Sequence, residues 1–211
     1  MSDWDRIGYY YIIDPGTAGP SLIKQVESIA DSGLGVQYYQ YRENGKQIQD
    51  SIAEIKDIRS ILPDDAFLVV NGRLDIALSY ADGVHLGDNS IRAEDAVDIV
   101  RNRLRNQVFM IGASASSVET VKMLNPLEVD YVTFGPLFGS PIKNEAGIFE
   151  LKRAVRSTVH PIIATGGITM DNLETVLNAG PDGVSVSGIL KDGRVDMDAI
   201  RHVQRHYRFV S

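Results

Sequence analysis

AFLVVNGRLDIALSYADGVHLG, Ala66–Gly87, carries the smallest structural unit of the chain. An apolar, β-branched run, AFLVV, is followed by Leu74 and Leu78 at helical spacing and then by a second short run, GVHL. The runs read as strands and the leucine pair as one face of a helix. The link from Asn71 to Gly83 leaves room for one short helix. Two strands joined by a crossover helix pair in parallel.

The same alternation continues outward. Upstream lie GYYYIID and GVQYYQY; downstream lie QVFMIGA, DYVTFG, PIIATG and DGVSVSG. Helical faces recur at Leu22, Val26 and Ile29, and at Ile48, Ile52, Ile55 and Ile58 with Leu62 beyond. Further faces are Ala93, Val97 and Val100, then Val118, Val121 and Leu124, then Leu173, Val176 and Leu177, and last Ile200, Val203 and Tyr207. Eight such strands predict an α/β fold, a closed (β/α)8 TIM barrel. An open doubly wound sheet is the alternative. The 211 residues, 1–211, are expected to form a single domain with short loops and no linker. Pro63 ends the second helix and Pro161 precedes a strand. Period two puts Tyr38, Gln40 and Arg42 on one face of their strand and Tyr39 and Tyr41 on the other.

A formal charge of -7 and pI ≈ 5.1 argue against a nucleic-acid partner. They leave room for a small anion, which needs only backbone amides and one or two cations. The absence of cysteine excludes disulfides and thiolate metal sites. The start, MSDWDRIGYYYIID, is acidic where a signal peptide is basic, and no segment approaches the roughly 18 apolar residues of a membrane span. A cytoplasmic protein with no membrane partner is expected.

The strand ends carry the chemistry. In order they read QYREN, NGRLD, HLGDNS, GASASS, DYVTFGPLFGSPIKNEAG, IIATGGITMDN and DGVSVSGIL. This order resembles the thiamine-phosphate synthase and thiazole tautomerase (TenI-like) superfamily over nearly the whole chain. That resemblance implies a TIM barrel whose mouth binds small phosphorylated molecules.

The synthase pattern Q-x-R-x-K is similar to Gln40 and Arg42, with Asn44 in the lysine position. In the family these side chains hold the diphosphate of an aminopyrimidine. The pattern N-D-R-x-D matches Asn71, Arg73 and Asp75, with Gly72 replacing a metal-binding aspartate. The pattern H-L-G-Q-x-D matches His85, Leu86 and Gly87; Asp88 replaces the glutamine and Ser90 the second metal-binding aspartate. Asp88 is therefore the candidate metal ligand, and Mg2+ is expected only together with a diphosphate ligand. Asp75 is expected to act as a cap or as a partner of Arg73. His85 is expected to be a packed strand-end residue rather than an acid-base group, and His160, His202 and His206 are expected on the surface or in the C-terminal helix.

GASASS resembles G-x-S-x-H through Gly112 and Ser114, with Ser116 at the histidine implicated in proton transfer in the tautomerase branch. DYVTFGPLFGSPIK resembles D-Y-V-x-x-G-P-x-F-x-T-x-T-K through Asp130, Tyr131, Val132, Gly135, Pro136, Phe138 and Lys143. Ser140 and Ile142 fall at its two threonines. Gly166 and Gly167, then Gly183, Ser187 and Gly188, stand where the superfamily receives a substrate phosphate on backbone amides.

The resemblance thus implies a divergent synthase-like protein of thiamine biosynthesis that binds a small phosphorylated ligand. Ser114, Asn71 and Lys143 are its candidate catalytic residues. Gln40, Arg42, Asn71, Ser140, Gly166, Gly167, Ser187 and Gly188 are its candidate substrate-binding residues. A tautomerase-like isomerase and a noncatalytic phosphate-ligand binder are the alternatives, and the oligomeric state, homo-oligomer included, stays open.

Overall fold

Each of the eight runs forms a strand: β1 (Tyr9–Ile13), β2 (Tyr38–Tyr41), β3 (Phe67–Asn71), β4 (Gly83–Leu86), β5 (Met110–Ala115), β6 (Tyr131–Phe134), β7 (Ile162–Ala164) and β8 (Gly183–Ser185). In a computed structural model these strands close into a parallel barrel in sequence order, with β1 pairing both β2 and β8. The structure describes residues 8–14, 22–42, 45–139, 144–187, 190–191 and 194–195. The open-sheet alternative is excluded by closure between Tyr9 and Val184.

The helices are α1 (Leu22–Ala30), α2 (Ile48–Ile61), α3 (Leu74–Tyr80), α4 (Ala93–Val97), α5 (Val118–Leu124), α6 (Asn144–Val155) and α7 (Met170–Leu177). α4 runs on into a wider π-helical segment, Asp98–Arg103. The expected helix around Ile200, Val203 and Tyr207, and with it His202 and His206, lies outside the described residues. Two elements were not foreseen. α6 buries Gly147, Leu151 and Ala154 and packs Ile148 and Val155 against the same core, so Ile148, Leu151 and Val155 form a helical face that the faces named above do not include. A short antiparallel pair, β9 (Leu190–Lys191) and β10 (Arg194–Val195), follows the barrel.

Strand alternation divides the core in two. Tyr11, Tyr39, Leu68, Val84, Ile111, Val132 and their neighbours face outward and pack with the helices. Tyr10, Tyr38, Val69, Met110, Tyr131 and Ile163 fill the barrel interior. The expected split of the second strand holds: Tyr38 belongs to the inner cluster, and Tyr39 and Tyr41 to the outer one. One glycine makes the inner layer possible. Gly112 pairs with Tyr131 in register, and a Cβ there would meet Tyr131 Cζ at 2.1 Å. Without a side chain at 112 the phenol ring crosses the barrel.

The N-terminal face is tied by a repeated device. Asp82, Asp130 and Asp182 immediately precede β4, β6 and β8. Each carboxylate accepts an N–H from the preceding strand: Leu68 at 2.8 Å, Ile111 at 2.6 Å and Ile162 at 2.7 Å. Arg59 donates to Asp82, and Arg101 to Asp130. The floor is thereby fixed and the opposite rim, where the strands end, is left to carry polar side chains.

Candidate active site

Above the tyrosine layer, successive inward positions become polar. Gln40, Asn71, His85, Ser114 and Thr133 come from β2 to β6 and line one cavity of about 480 Å3. Register brings them together: Asn71 lies beside His85, and Ser114 beside Thr133. Gln40, His85 and Thr133 are buried, whereas Ser114 is exposed to the cavity.

The hydrogen bonds order the protons in this layer. Gln40 Nε2 donates to Asn71 Oδ1 at 3.0 Å, so Gln40 Oε1 faces the other way and accepts from Tyr10 Oη at 2.9 Å. Because the Tyr10 proton is used there, the 2.9 Å contact between phenols has Tyr131 donating to Tyr10. The 3.2 Å contact from His85 Nδ1 to Tyr131 Oη then needs the proton on Nδ1. His85 Nε2 is left as an acceptor, and Ser114 Oγ donates to it at 2.8 Å. Thr133 Oγ1 donates to Ser114 Oγ at 3.3 Å.

The chain of bonds has two consequences. Asn71 turns its carbonyl inward, which directs its amide N–H groups away from Gln40. His85 has both ring nitrogens engaged, in keeping with the packed strand-end residue expected from the sequence. Burial, with a smaller contribution from the Arg42 charge, pushes the His85 pKa down to about 3. A neutral imidazole with so low a pKa is a weak base, and its role here is to hold Ser114 and Tyr131.

Arg42 is exposed at the rim and lines the same cavity, as do Lys46, Arg73 and Asp88. Arg73 is bound by Asp75, with Nε to Oδ1 at 2.8 Å, and this pairing holds the Asp75 carboxyl below its ordinary pKa. Ser116 is exposed. His160 is half-buried, with Nε2 3.2 Å from the Leu124 carbonyl. Asn44, Ser140, Lys143 and Gly188 lie outside the described residues.

The two glycines after β7 have a packing reason of their own. Gly166 and Gly167 both have positive φ, 90° and 69°. A Cβ on Gly166 would lie 2.5 Å from Pro136 Cα, and one on Gly167 would lie 2.7 Å from Phe138 Cβ. The turn after β7 is thus pressed onto the turn after β6, where Phe138 N–H donates to Gly166 O at 3.1 Å. The Ser187 hydroxyl is also committed: it accepts from Ile12 N–H and donates to Ile12 O, each at 3.0 Å. Any contribution of Ser187 to an anion therefore falls to its backbone.

The positions implied to hold magnesium meet in space but lack the donors. Gly72 has φ of 74°, and a Cβ built on it would stand 3.3 Å from Ser90 Oγ. Ser90 Oγ accepts the Gly87 N–H at 2.9 Å. Asp88 is exposed, and among the described residues no group of three His, Cys, Asp or Glu side chains is placed to hold a metal ion. A glycine and one neutral hydroxyl do not supply the carboxylate oxygens of the cage that magnesium takes.

Thr133, Thr165 and Lys46 line the cavity without having been singled out from the sequence. The alternation in DYVTF signals Thr133, since it shares a face with Tyr131. No comparable signal marks Lys46, which sits two residues beyond the position of the family lysine.

A thiamine monophosphate synthase family model matches residues 9–190, which includes every strand of the barrel. The chain belongs to that family. A thiamine-phosphate synthase from Methanosarcina barkeri is 31% identical over 203 residues, covering 92% of this chain and 88% of the relative. One from Caldivirga maquilingensis is 39% identical over 163 residues, covering 74% and 76%. The solved thiamine phosphate pyrophosphorylase from Pyrococcus furiosus superposes with a TM-score of 0.80 at 27% identity, covering 96% of this chain and 98% of that one. The tryptophan synthase α-subunit from Pyrococcus furiosus, at 14% identity and a TM-score of 0.67, shares the fold. Among the described residues no helix is long and apolar enough to cross a membrane.

Proposed function

We propose that this member of the thiamine monophosphate synthase family works in thiamine biosynthesis by joining a thiazole phosphate to an aminopyrimidine diphosphate. The observation that carries this reading is the single polar layer of Gln40, Asn71, His85, Ser114 and Thr133 at the mouth of a family-matched barrel. The thiazole ring nitrogen attacks the exocyclic methylene carbon of the pyrimidine. The bond from that carbon to the diphosphate oxygen breaks, and the electron pair leaves with the diphosphate. No proton transfer is needed for the exchange, so a neutral His85 is no obstacle.

Gln40, Asn71 and Ser114 orient the pyrimidine. Asn71 offers amide N–H groups because its carbonyl is already held by Gln40. Arg42 and Lys143 take the diphosphate, Arg42 by its planar fork. Backbone amides around Gly166, Gly167, Ser187 and Gly188, with Ser140, take the thiazole phosphate. Stabilising the departing diphosphate is the main electrostatic demand of the step. Gly72 and Ser90 contribute no carboxylate for a metal, so the demand falls on the cations of the chain.

The test is incubation of the purified protein with both substrates, following thiamine phosphate and released diphosphate together. Equal amounts of both are expected. Absence of both products, with thiazole phosphate still bound, would replace the reading with that of a phosphate-ligand binding protein.

A further inference from the structure

The synthase pattern has a lysine two residues after the arginine, and this chain has Asn44 there. Two residues further on, Lys46 lines the same cavity as Arg42, Asn71 and Gly72. Its ammonium is ion-paired with Glu54 Oε1 on α2. Glu54 is itself oriented, because its other oxygen accepts from the buried Tyr41 hydroxyl at 2.7 Å. Tyr41 and Glu54 thus form a bracket that holds Lys46 at the rim. The pair stands at the exposed rim of the cavity, with side chains 34% and 28% exposed, and it is the Tyr41 hydroxyl that fixes the Glu54 end.

The cavity also has an electrostatic gap. Gly72 supplies no donor, Ser90 offers one neutral hydroxyl that already accepts the Gly87 N–H, and among the described residues Asp88 belongs to no group of three metal-ligating side chains. An anion entering here meets Arg42 and Lys46, with Arg73 at the same cavity held by Asp75 and with Asp88 as the opposing charge. An ammonium has three donors, enough to keep Glu54 and also engage a phosphate oxygen.

We propose that Lys46 is an anion-binding residue of this cavity, which with Arg42 takes a diphosphate group directly, with no divalent ion between protein and ligand. The assignment rests on the reading that a diphosphate enters this site. Lys46 acts as a mobile point charge where a bound metal would act as a fixed one. Glu54 sets its availability: the ion pair prepositions the ammonium and competes with the ligand for it.

The probe is inorganic pyrophosphate, titrated calorimetrically into the full chain with EDTA and again with magnesium. The wild type is expected to bind in EDTA, with affinity changed by less than about threefold on adding magnesium. Lys46→Gln is expected to weaken binding about tenfold, the scale of one charge-assisted hydrogen bond, and Lys46→Arg to restore most of it. Glu54→Gln retains an acceptor for Tyr41 and removes the competing charge, so it should bind pyrophosphate at least as tightly as the wild type. Wild-type binding that requires magnesium, equal binding by Lys46→Gln, or no binding in either condition would overturn the assignment. Thermal unfolding of each variant excludes global damage as the cause. Failure to form thiamine phosphate with this binding pattern intact would overturn the proposed reaction and leave the assignment of Lys46 in place.

Discussion

Replacing His85 with leucine should produce a stability loss that depends on pH in a direction the wild-type site dictates. At pH 8 the variant loses the Nδ1–H donor to Tyr131 and the Nε2 acceptor for Ser114. Tyr131 still donates to Tyr10, and the exposed Ser114 hydroxyl can turn to solvent. The cost should be about 2 kcal/mol, within the range for one buried polar group left short of a partner. Lowering the pH changes the comparison. The folded-state pKa of His85 is about 3, below the ordinary imidazole value of 6.5 that the unfolded chain keeps. The unfolded chain therefore takes up a proton that the folded chain refuses, and stability falls as pH drops from 6.5 towards 3. The slope is about 1.4 kcal/mol per pH unit, so near pH 5 the wild type has lost about 2 kcal/mol through this group. Leucine does not titrate. The variant should be less stable than the wild type at pH 8 and nearly equal to it at pH 5. Urea unfolding of both proteins at the two pH values measures the difference, and all other titrating groups are common to both. A constant gap across this range would refute a buried neutral histidine.

Arg101→Met should destabilise the barrel by about 3–5 kcal/mol, because it strands the partly buried Asp130 carboxylate and frees the Asn106 and Phe109 carbonyls. Chemical denaturation would show it, and a loss below about 1 kcal/mol would mean that the floor clasp is not needed. Magnesium titrated calorimetrically into the ligand-free protein should give no saturable binding, since Gly72 and Ser90 lack carboxylates and Asp88 stands outside any three-ligand group among the described residues. A sub-millimolar Kd would contradict this and direct attention back to Asp88.

The barrel was legible because strand and helix signals alternate along the chain. Runs as short as AFLVV and GVHL are ambiguous one by one, and it is their length, their bounding Gly and Pro residues and the helical spacing between them that decide for strands and crossovers. α6 was equally legible in principle, since Ile148, Leu151 and Val155 stand at helical spacing and pack on the core, with Gly147 and Ala154 filling the close approaches between them. β9 and β10 flank Asp192 and Gly193 in sequence, a pair favoured in two-residue hairpin turns, but each strand is too short to alternate.

The site was legible in outline. Gln40, Asn71 and Ser114 could be placed on the mouth from motif order, and the structure brings them to one cavity. The proton order that turns the Asn71 amide outward was not legible, since it runs through Tyr10 and Tyr131, which meet only after the barrel closes. The glycines after β7 carry a further lesson. Their small size suggested a phosphate cradle, yet close packing against Pro136 and Phe138 already requires it. Lys46 is not legible from the motif, which ends at residue 44, because the cavity wall extends two residues beyond it.

The most direct measurement is the rate of thiamine phosphate formation by the wild type and by the Gly72→Asp, Ser90→Asp double variant, each with EDTA and with magnesium. The positive φ at Gly72 strains any side chain there, aspartate less than most, and a Cβ would stand 3.3 Å from Ser90 Oγ, so thermal unfolding of the variant accompanies the rates. The wild type should turn over slowly, at a rate indifferent to EDTA, with its cations alone opposing the charge of the departing diphosphate. The double variant should gain a magnesium-dependent rate about 10²- to 10³-fold higher, the scale of one electrostatic contribution to a transition state. Fast wild-type turnover that EDTA abolishes and magnesium restores would contradict a synthase pocket working without a protein-held metal.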